Sequence, residues 1–237
     1  MKAKNILVIG GSSGIGLEIV NQLIEKEYNV IAASRTPKEL EKIDGVQYVR
    51  FDAVNDELPL DDLPPDMQGL VYCPGTIRLI PFNHLRDQDF RDDFEINFMS
   101  AVRVLRACFP RLRKSTSGAS VVLFSTVAVQ TGMPFHASIA GAKGAVEGLT
   151  RSLAAEFAPK IRVNAIAPSI TDTPMAERLL NREERRKASA ERHPMKRVGT
   201  PKDIASFATF LLDERASWIT GEIFHVDGGM NSLRLFT

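Results

Sequence analysis

"VIGGSSGIG", from Val8 to Gly16, decides the fold. It closes the apolar run "KNILVIG" (Lys4–Gly10), and helical periodicity follows it at Ile15, Ile19, Leu23 and Ile24. A continuous apolar run of this length reads as a parallel strand buried on both faces. Gly10, Gly14 and Gly16 give the spacing G-x-x-x-G-x-G between that strand and that helix. Glycines there permit a tight turn and let the backbone approach a pyrophosphate, while the helix N-terminus offers free N–H groups and the positive end of its dipole. Ser12 and Ser13 add hydroxyl donors. Gly10, Ser12, Ser13, Gly14, Ile15 and Gly16 are therefore expected to hold a dinucleotide.

Outward from this unit, strands and helices alternate. "NVIAAS" (Asn29–Ser34), "VQYVRF" (Val46–Phe51), "GLVYC" (Gly69–Cys73), "ASVVLFS" (Ala119–Ser125), "IRVNAIA" (Ile161–Ala167) and "GEIFHVD" (Gly221–Asp227) read as further strands. A long helix is expected from about Asp87 to Lys114, with Phe90, Phe94, Phe98, Ala101, Val104, Leu105, Cys108 and Leu112 on its apolar face. Others are expected at "SIAGAKGAVEGLTRSLAAEF" (Ser138–Phe157) and from Pro201 to Leu212. The pattern implies an α/β fold: one doubly wound Rossmann domain over residues 1–237, with a mostly parallel seven-stranded sheet and helices on both faces. The Pro-rich "LPLDDLPPDM" (Leu58–Met67) reads as a surface connection, not a boundary.

Composition narrows the class. With 237 residues the chain can bury a substantial core in one domain. A formal net charge of +1 argues against nucleic acid or an anionic membrane as partner. No stretch approaches the roughly 18 apolar residues of a membrane span, so a cytoplasmic protein with a small-molecule substrate is expected. Cys73 and Cys108 lack metal-ligand spacing and read as small apolar residues of a reducing compartment; no metal site is expected.

After the second strand comes "AASRTP". A carboxylate at this place would accept from the adenosine ribose 2′-OH and repel a 2′-phosphate; Ser34 followed by Arg35 suits the phosphate instead. The expected cofactor is NADP(H), with NAD(H) the less favoured choice.

These residues, with those that follow, resemble the short-chain dehydrogenase/reductase family over nearly the whole chain. "FDAV" (Phe51–Val54) is similar to its adenine-contacting segment, which implies cofactor roles for Asp52 and Ala53. "YCPG" (Tyr72–Gly75) stands where the family has Asn-Ala-Gly; Gly75 matches, and Pro74 removes a backbone donor. "FEINFMSAV" (Phe94–Val102) puts Asn97 at the family's helix asparagine. "IRVNAIAPSITDTPM" (Ile161–Met175) resembles the segment that holds the nicotinamide carboxamide, implying contacts from Ile170 and Thr173, with Ser169 in place of a common glycine. "HPMKRVGTPKDIA" (His193–Ala205) and "WITGEIFHVDGG" (Trp218–Gly229) match the C-terminal pattern, and Pro174–His193 would be the substrate lid.

The family's catalytic groups are Asn, Ser, Tyr and Lys. By resemblance the lysine is Lys143, also a cofactor ligand, the asparagine is Asn97, and Thr126 stands for the serine. The tyrosine position, one helical turn before Lys143, holds Ile139, which cannot donate, accept or ionise. Tyr28, Tyr48 and Tyr72 lie on early strands; the first two sit at strand starts, and Tyr72 is expected to pack against a helix. His136, seven residues before Lys143, has the spacing some enoyl thioester reductases use for their tyrosine, and histidine is a residue type able to serve as an acid; the alternative is that it simply starts the helix. The resemblance implies an NADP(H)-dependent oxidoreductase for a carbonyl or enoyl compound, with a modified proton relay and a dimeric or tetrameric homo-oligomer. The alternatives are an inactive NADP(H)-binding sensor and a structural subunit beside a catalytic homologue.

Overall fold

Seven strands, β1 (Asn5–Ile9), β2 (Asn29–Ser34), β3 (Val46–Arg50), β4 (Gly69–Tyr72), β5 (Ala119–Phe124), β6 (Ile161–Pro168) and β7 (Ile223–Val226), form one sheet in the computed structural model, which describes residues 3–234. Their order is β3-β2-β1-β4-β5-β6-β7, and every pairing is parallel. The helices are α1 (Gly14–Glu25), α2 (Asp87–Phe94), α3 (Ser100–Arg113), α4 (Ala128–Thr131), α5 (Ala137–Phe157), α6 (Glu177–Leu180), α7 (Glu183–Glu191) and α8 (Pro201–Leu212). Alternate β1 side chains enter opposite layers, as the pleat requires. Ile6 and Val8 pack with α1 and α8, and Leu7 and Ile9 with α3 and α5. The doubly wound fold expected from the sequence is the one observed.

Strand order reverses between β1 and β4, and ligands of such sheets bind in the crevice at the carboxyl ends beside that reversal. The pairing of Ile9 with Tyr72 sets the glycine turn after β1 next to "CPG" after β4. Leu63 and Met67 are buried, so the Pro-rich connection before β4 is anchored at the surface by two core side chains.

One expectation fails. The helix expected from Asp87 to Lys114 is divided into α2 and α3 by a π turn at Glu95–Met99. Such a turn carries an extra residue, which shifts the helix phase by roughly 100°. Carbonyls that lose their α-helical partners are recaptured: the Tyr72 hydroxyl donates to Ile96 O at 2.8 Å and Ser100 Oγ to Glu95 O at 2.9 Å. Phe94, expected in the core, is consequently 38% exposed and lies against Phe98 with ring centres 4.7 Å apart. Asn97 sits in the middle of the π turn and is buried.

Candidate functional site

The glycine turn has the geometry its spacing implies. Gly10 and Gly14 adopt φ of +77° and +54°, which side chains with a Cβ rarely tolerate, and a Cβ on Gly16 would run into the Gly10 carbonyl oxygen. Ser13 caps α1 without a side-chain hydrogen bond, and no acidic residue occupies the first turn. The positive end of α1 therefore faces the cleft uncompensated, which fits a pyrophosphate.

The cleft has a volume of about 1430 Å³ and continues from this turn in two directions. Toward the β2 end its wall includes Ser34, Arg35, Asp52 and Ala53. Ser34 Oγ donates to Thr36 O at 2.8 Å, so its hydroxyl hydrogen is engaged within the loop. The Asp52 carboxylate accepts from the Val54 N–H at 3.0 Å and from Asn55 Nδ2 at 3.1 Å. The Val54 bond lowers its pKa, opposed by partial burial and assisted by Asn55 and Arg35. Lys38, which sequence reasoning missed, also lines this end. Its signal was present in "RTPK": a second cation just past the end of β2. Among the described residues neither Arg35 nor Lys38 is paired with a carboxylate.

Toward α5 the wall includes Gly75, Thr126, His136, Ile139 and Lys143. Lys143 is 7% exposed, and its Nζ donates to Phe124 O at 2.8 Å. Burial pushes its pKa down to about 8, slightly opposed by Cys73. Burial likewise pushes the Cys73 thiol up to about 12, with Lys143 pulling the other way. Behind Gly75, Asn97 Nδ2 donates to Asp93 O at 2.7 Å and to Thr76 Oγ1 at 3.0 Å, while its Oδ1 is buried and unpartnered. A Cβ on Gly75 would lie 2.9 Å from that Oδ1 and 3.4 Å from Lys143 Nζ. The glycine keeps open a small space between a buried acceptor and an ammonium, which suits a polar ligand.

Ile139 is buried at 4% exposure and borders the cleft one turn before Lys143. His136 caps the start of α5, its Nδ1 bonded to Pro134 O at 2.7 Å, with the ring on the cleft wall. Tyr72 packs in the α3 layer, as the sequence suggests, and burial raises its pKa. Tyr48 lies nearer the carboxyl edge than a strand-start position implies, because its hydroxyl reaches Ser34 O at 3.0 Å; it does not line the cleft. A buried carboxylate network that the sequence did not reveal supports the α5 end. Asp93 accepts from Ser138 Oγ at 2.6 Å and Thr76 Oγ1 at 2.8 Å, with Arg78 Nε at 3.4 Å.

Ile170 and Thr173 close the cleft from the loop after β6, and Met175, Leu179 and Arg185 reach it from the 174–193 segment. That segment folds as a short turn followed by α6 and α7, anchored on its own apolar cluster of Ala176, Leu180 and Val198. Among the described residues no group of three His, Cys, Asp or Glu could hold a metal ion, and no helix is long and apolar enough to cross a membrane.

Known proteins resemble this chain in sequence and in fold. A family model described as enoyl-(acyl carrier protein) reductase matches residues 10–231. A tropinone reductase homolog of Arabidopsis thaliana is 34% identical, over 97% of this chain and 94% of its own. The 3-oxoacyl-[acyl-carrier-protein] reductase of Staphylococcus aureus is 30% identical, over 96% and 98%. Among solved structures, that of ElxO with NADP bound superposes with a TM-score of 0.88 at 25% identity, covering 98% of this chain and 100% of that one. The match runs from the glycine turn past the last strand and joins the sheet order to the cleft that Lys143 floors, so the chain belongs to the short-chain dehydrogenase/reductase family of oxidoreductases.

Proposed function

We propose that this protein is an NADP(H)-dependent oxidoreductase for a carbonyl or enoyl compound, working through a modified proton relay. One observation carries the reading: a single cleft joins Arg35 and Lys38, neither of them in a salt bridge among the described residues, to the glycine turn and to buried Lys143. The α1 N-terminus suits the pyrophosphate. Arg35 and Lys38 suit a 2′-phosphate better than a bare ribose hydroxyl, because a charge-assisted bond is stronger than a neutral one. Lys143 is set to hold the nicotinamide ribose, and Ile170 and Thr173 the carboxamide. The cofactor, when bound, supplies a hydride; the chain's own residues orient the substrate, exclude water and move the proton. Thr126 offers a hydroxyl to the substrate oxygen, and Asn97 Oδ1 an acceptor for a relay water. His136 is one candidate for the proton source.

The test is NADPH consumption by the full-length protein with acetoacetyl-CoA, a 3-oxo thioester, and crotonyl-CoA, an enoyl thioester. Binding of NADPH and NADH is measured alongside. Turnover of either thioester with preference for NADPH is expected; tighter binding of NADH, or no turnover of either probe, overturns the reading.

Ile139 favours a second reading, because the resemblance puts the family's tyrosine there. An NADP(H)-binding sensor without turnover, or a structural subunit of a hetero-oligomer, would bind NADPH tightly and leave both thioesters untouched. A cytoplasmic homo-oligomer, dimer or tetramer, is part of the first proposal. The exposed Phe94 and Met99 on the α2–α3 ridge beside α5 supply an apolar contact surface for a second copy. Light scattering on the purified protein decides it.

A further inference from the structure

Ser169, which stands where the family commonly has glycine, is hydrogen-bonded to a buried histidine. His193 is 3% exposed. Its Nδ1 lies 2.7 Å from the Ser189 carbonyl oxygen and its Nε2 lies 2.8 Å from Ser169 Oγ. A carbonyl oxygen can only accept, so Nδ1 carries the hydrogen; in the neutral ring Nε2 is then the bare nitrogen and Ser169 donates to it. The Met230 sulfur, 3.2 Å from Ser169 Oγ, is a much weaker acceptor and does not compete for that hydrogen. The arrangement is a hydroxyl, a base and a group that orients the base, the pattern by which a proton is passed through a serine. Ser169, His193 and Lys143 all line the same cleft, and Ser169 directly precedes Ile170.

We propose that Ser169 and His193 are the proton relay of this site, taking the place of the absent phenol; the proposal rests on the oxidoreductase reading above. In reduction, the substrate oxygen gathers negative charge as the neighbouring carbon system receives the hydride. That oxygen takes the proton of Ser169 Oγ, Ser169 takes the proton of His193 Nε2, and the resulting neutral imidazole is reprotonated from water. In alcohol oxidation each proton moves the opposite way, ending on Nε2. The neutral pair is thus the form competent for oxidation, and the imidazolium the form competent for reduction. Because only the imidazolium can give a proton and only the neutral ring can take one, reduction should fall, and oxidation rise, with increasing pH.

The surroundings leave the imidazole free to act in this way. Arg185 of α7, Arg192 just beyond it, Lys143 of α5, and Arg35 and Lys38 past β2 are the arginines and lysines on the cleft wall. Asp227, beyond β7, is occupied by the Gly229 and Asn231 N–H groups. Lys196 turns away to Glu191. Among the described residues no carboxylate is bonded to His193, so its orienting partner is the neutral Ser189 carbonyl.

The test uses the full-length protein with NADP+ bound and nitrogen NMR of the histidine rings, the His193 signals being identified by their loss in His193→Gln. The expected spectrum has a hydrogen on Nδ1 and a bare Nε2 at high pH, and Ser169→Ala moves the Nε2 signal. A hydrogen on Nε2 at high pH, or an Nε2 signal indifferent to Ser169→Ala, overturns the relay. In parallel, NADPH consumption with acetoacetyl-CoA and crotonyl-CoA is followed against pH. Glutamine at 193 keeps a hydrogen-bonding side chain but cannot titrate, so kcat should drop at least about 100-fold and lose its pH dependence, with KM little changed. Wild-type rates and pH profile in His193→Gln overturn the relay alone. Absence of turnover by the wild type overturns the oxidoreductase reading instead, whatever the spectra show.

Discussion

Lys143 donates from Nζ to the Phe124 carbonyl at 2.8 Å, and no carboxylate in the described residues is paired with it. The last carbonyl of β5 thus fixes the one buried ammonium of the cleft floor. A single neutral acceptor cannot repay the loss of hydration, which is why the group is easier to deprotonate than an ordinary lysine.

A stability consequence follows from the sign of that shift. Lys143 falls from 10.5 to about 8 in the folded chain, which corresponds to a penalty of about 3 kcal/mol. The unfolded chain binds more protons between these values, so the penalty is full below about pH 8 and fades as pH rises toward 10.5. Lys143→Met should therefore raise the melting temperature of the cofactor-free protein at pH 7, by an amount that shrinks above pH 8, while weakening NADPH binding. Thermal melts across pH 7–10 check the first part and titration calorimetry the second. A variant less stable than wild type at pH 7 contradicts the assignment.

Cofactor choice should depend on Arg35 and Lys38. Losing one charge-assisted bond to a 2′-phosphate costs about 1.5–3 kcal/mol, or roughly 10–100-fold in Kd. Arg35→Asp should weaken NADPH by at least that factor and leave NADH within a few-fold of wild type; Lys38→Ala should give a smaller loss of the same sign. Fluorescence titration with both nucleotides measures it. Equal weakening of both would mean that Arg35 shapes the loop rather than reads the phosphate.

The parts of the molecule legible in the sequence were those set by local pattern. Continuous apolar strands, alternation with helices and the glycine spacing gave the sheet and placed Gly10, Gly14, Gly16 and Lys143 on one cleft. The π turn at Glu95–Met99 was not legible, because it depends on hydroxyls of Tyr72 and Ser100 reaching its carbonyls from another strand and the next turn. In the sequence Ser169 shows only as a missing glycine and His193 only as part of a motif. Their meeting requires the loop after β6 and the end of α7 to pack together across 24 residues of chain, which periodicity does not encode. Lys38 was readable as a cation but not as a wall of the cleft until the turn after β2 was seen.

Asp93 is expected to be the structural keystone of the α5 end. Its buried carboxylate holds Ser138, Thr76 and Arg78 together, and Thr76 in turn receives Asn97 Nδ2. Asp93→Ala leaves two hydroxyls without their acceptor and should cost about 2–4 kcal/mol, read as a lower urea midpoint. Ser138→Ala removes a single bond and should cost about 1 kcal/mol. Equal losses in the two variants would mean that the carboxylate contributes no more than the one hydroxyl it accepts from.

Ile139 offers the sharpest comparison of proton sources. Its side chain borders the cleft one turn before Lys143, so the ring of Ile139→Tyr can extend into open space rather than into the core, limiting the overpacking cost to about 1–3 kcal/mol. A phenol there would lie beside a cation that lowers its pKa. General acid catalysis contributes about 10²–10⁴-fold, so Ile139→Tyr should raise NADPH consumption with a 3-oxo thioester wherever the native relay is slower than a phenol. The double variant decides more. In Ile139→Tyr/His193→Gln the phenol should restore most of the rate that His193→Gln loses, since two groups serving one oxygen are alternatives rather than partners. If the double variant is as slow as His193→Gln, the histidine holds the 174–193 segment in place and the proton comes from elsewhere in the cleft.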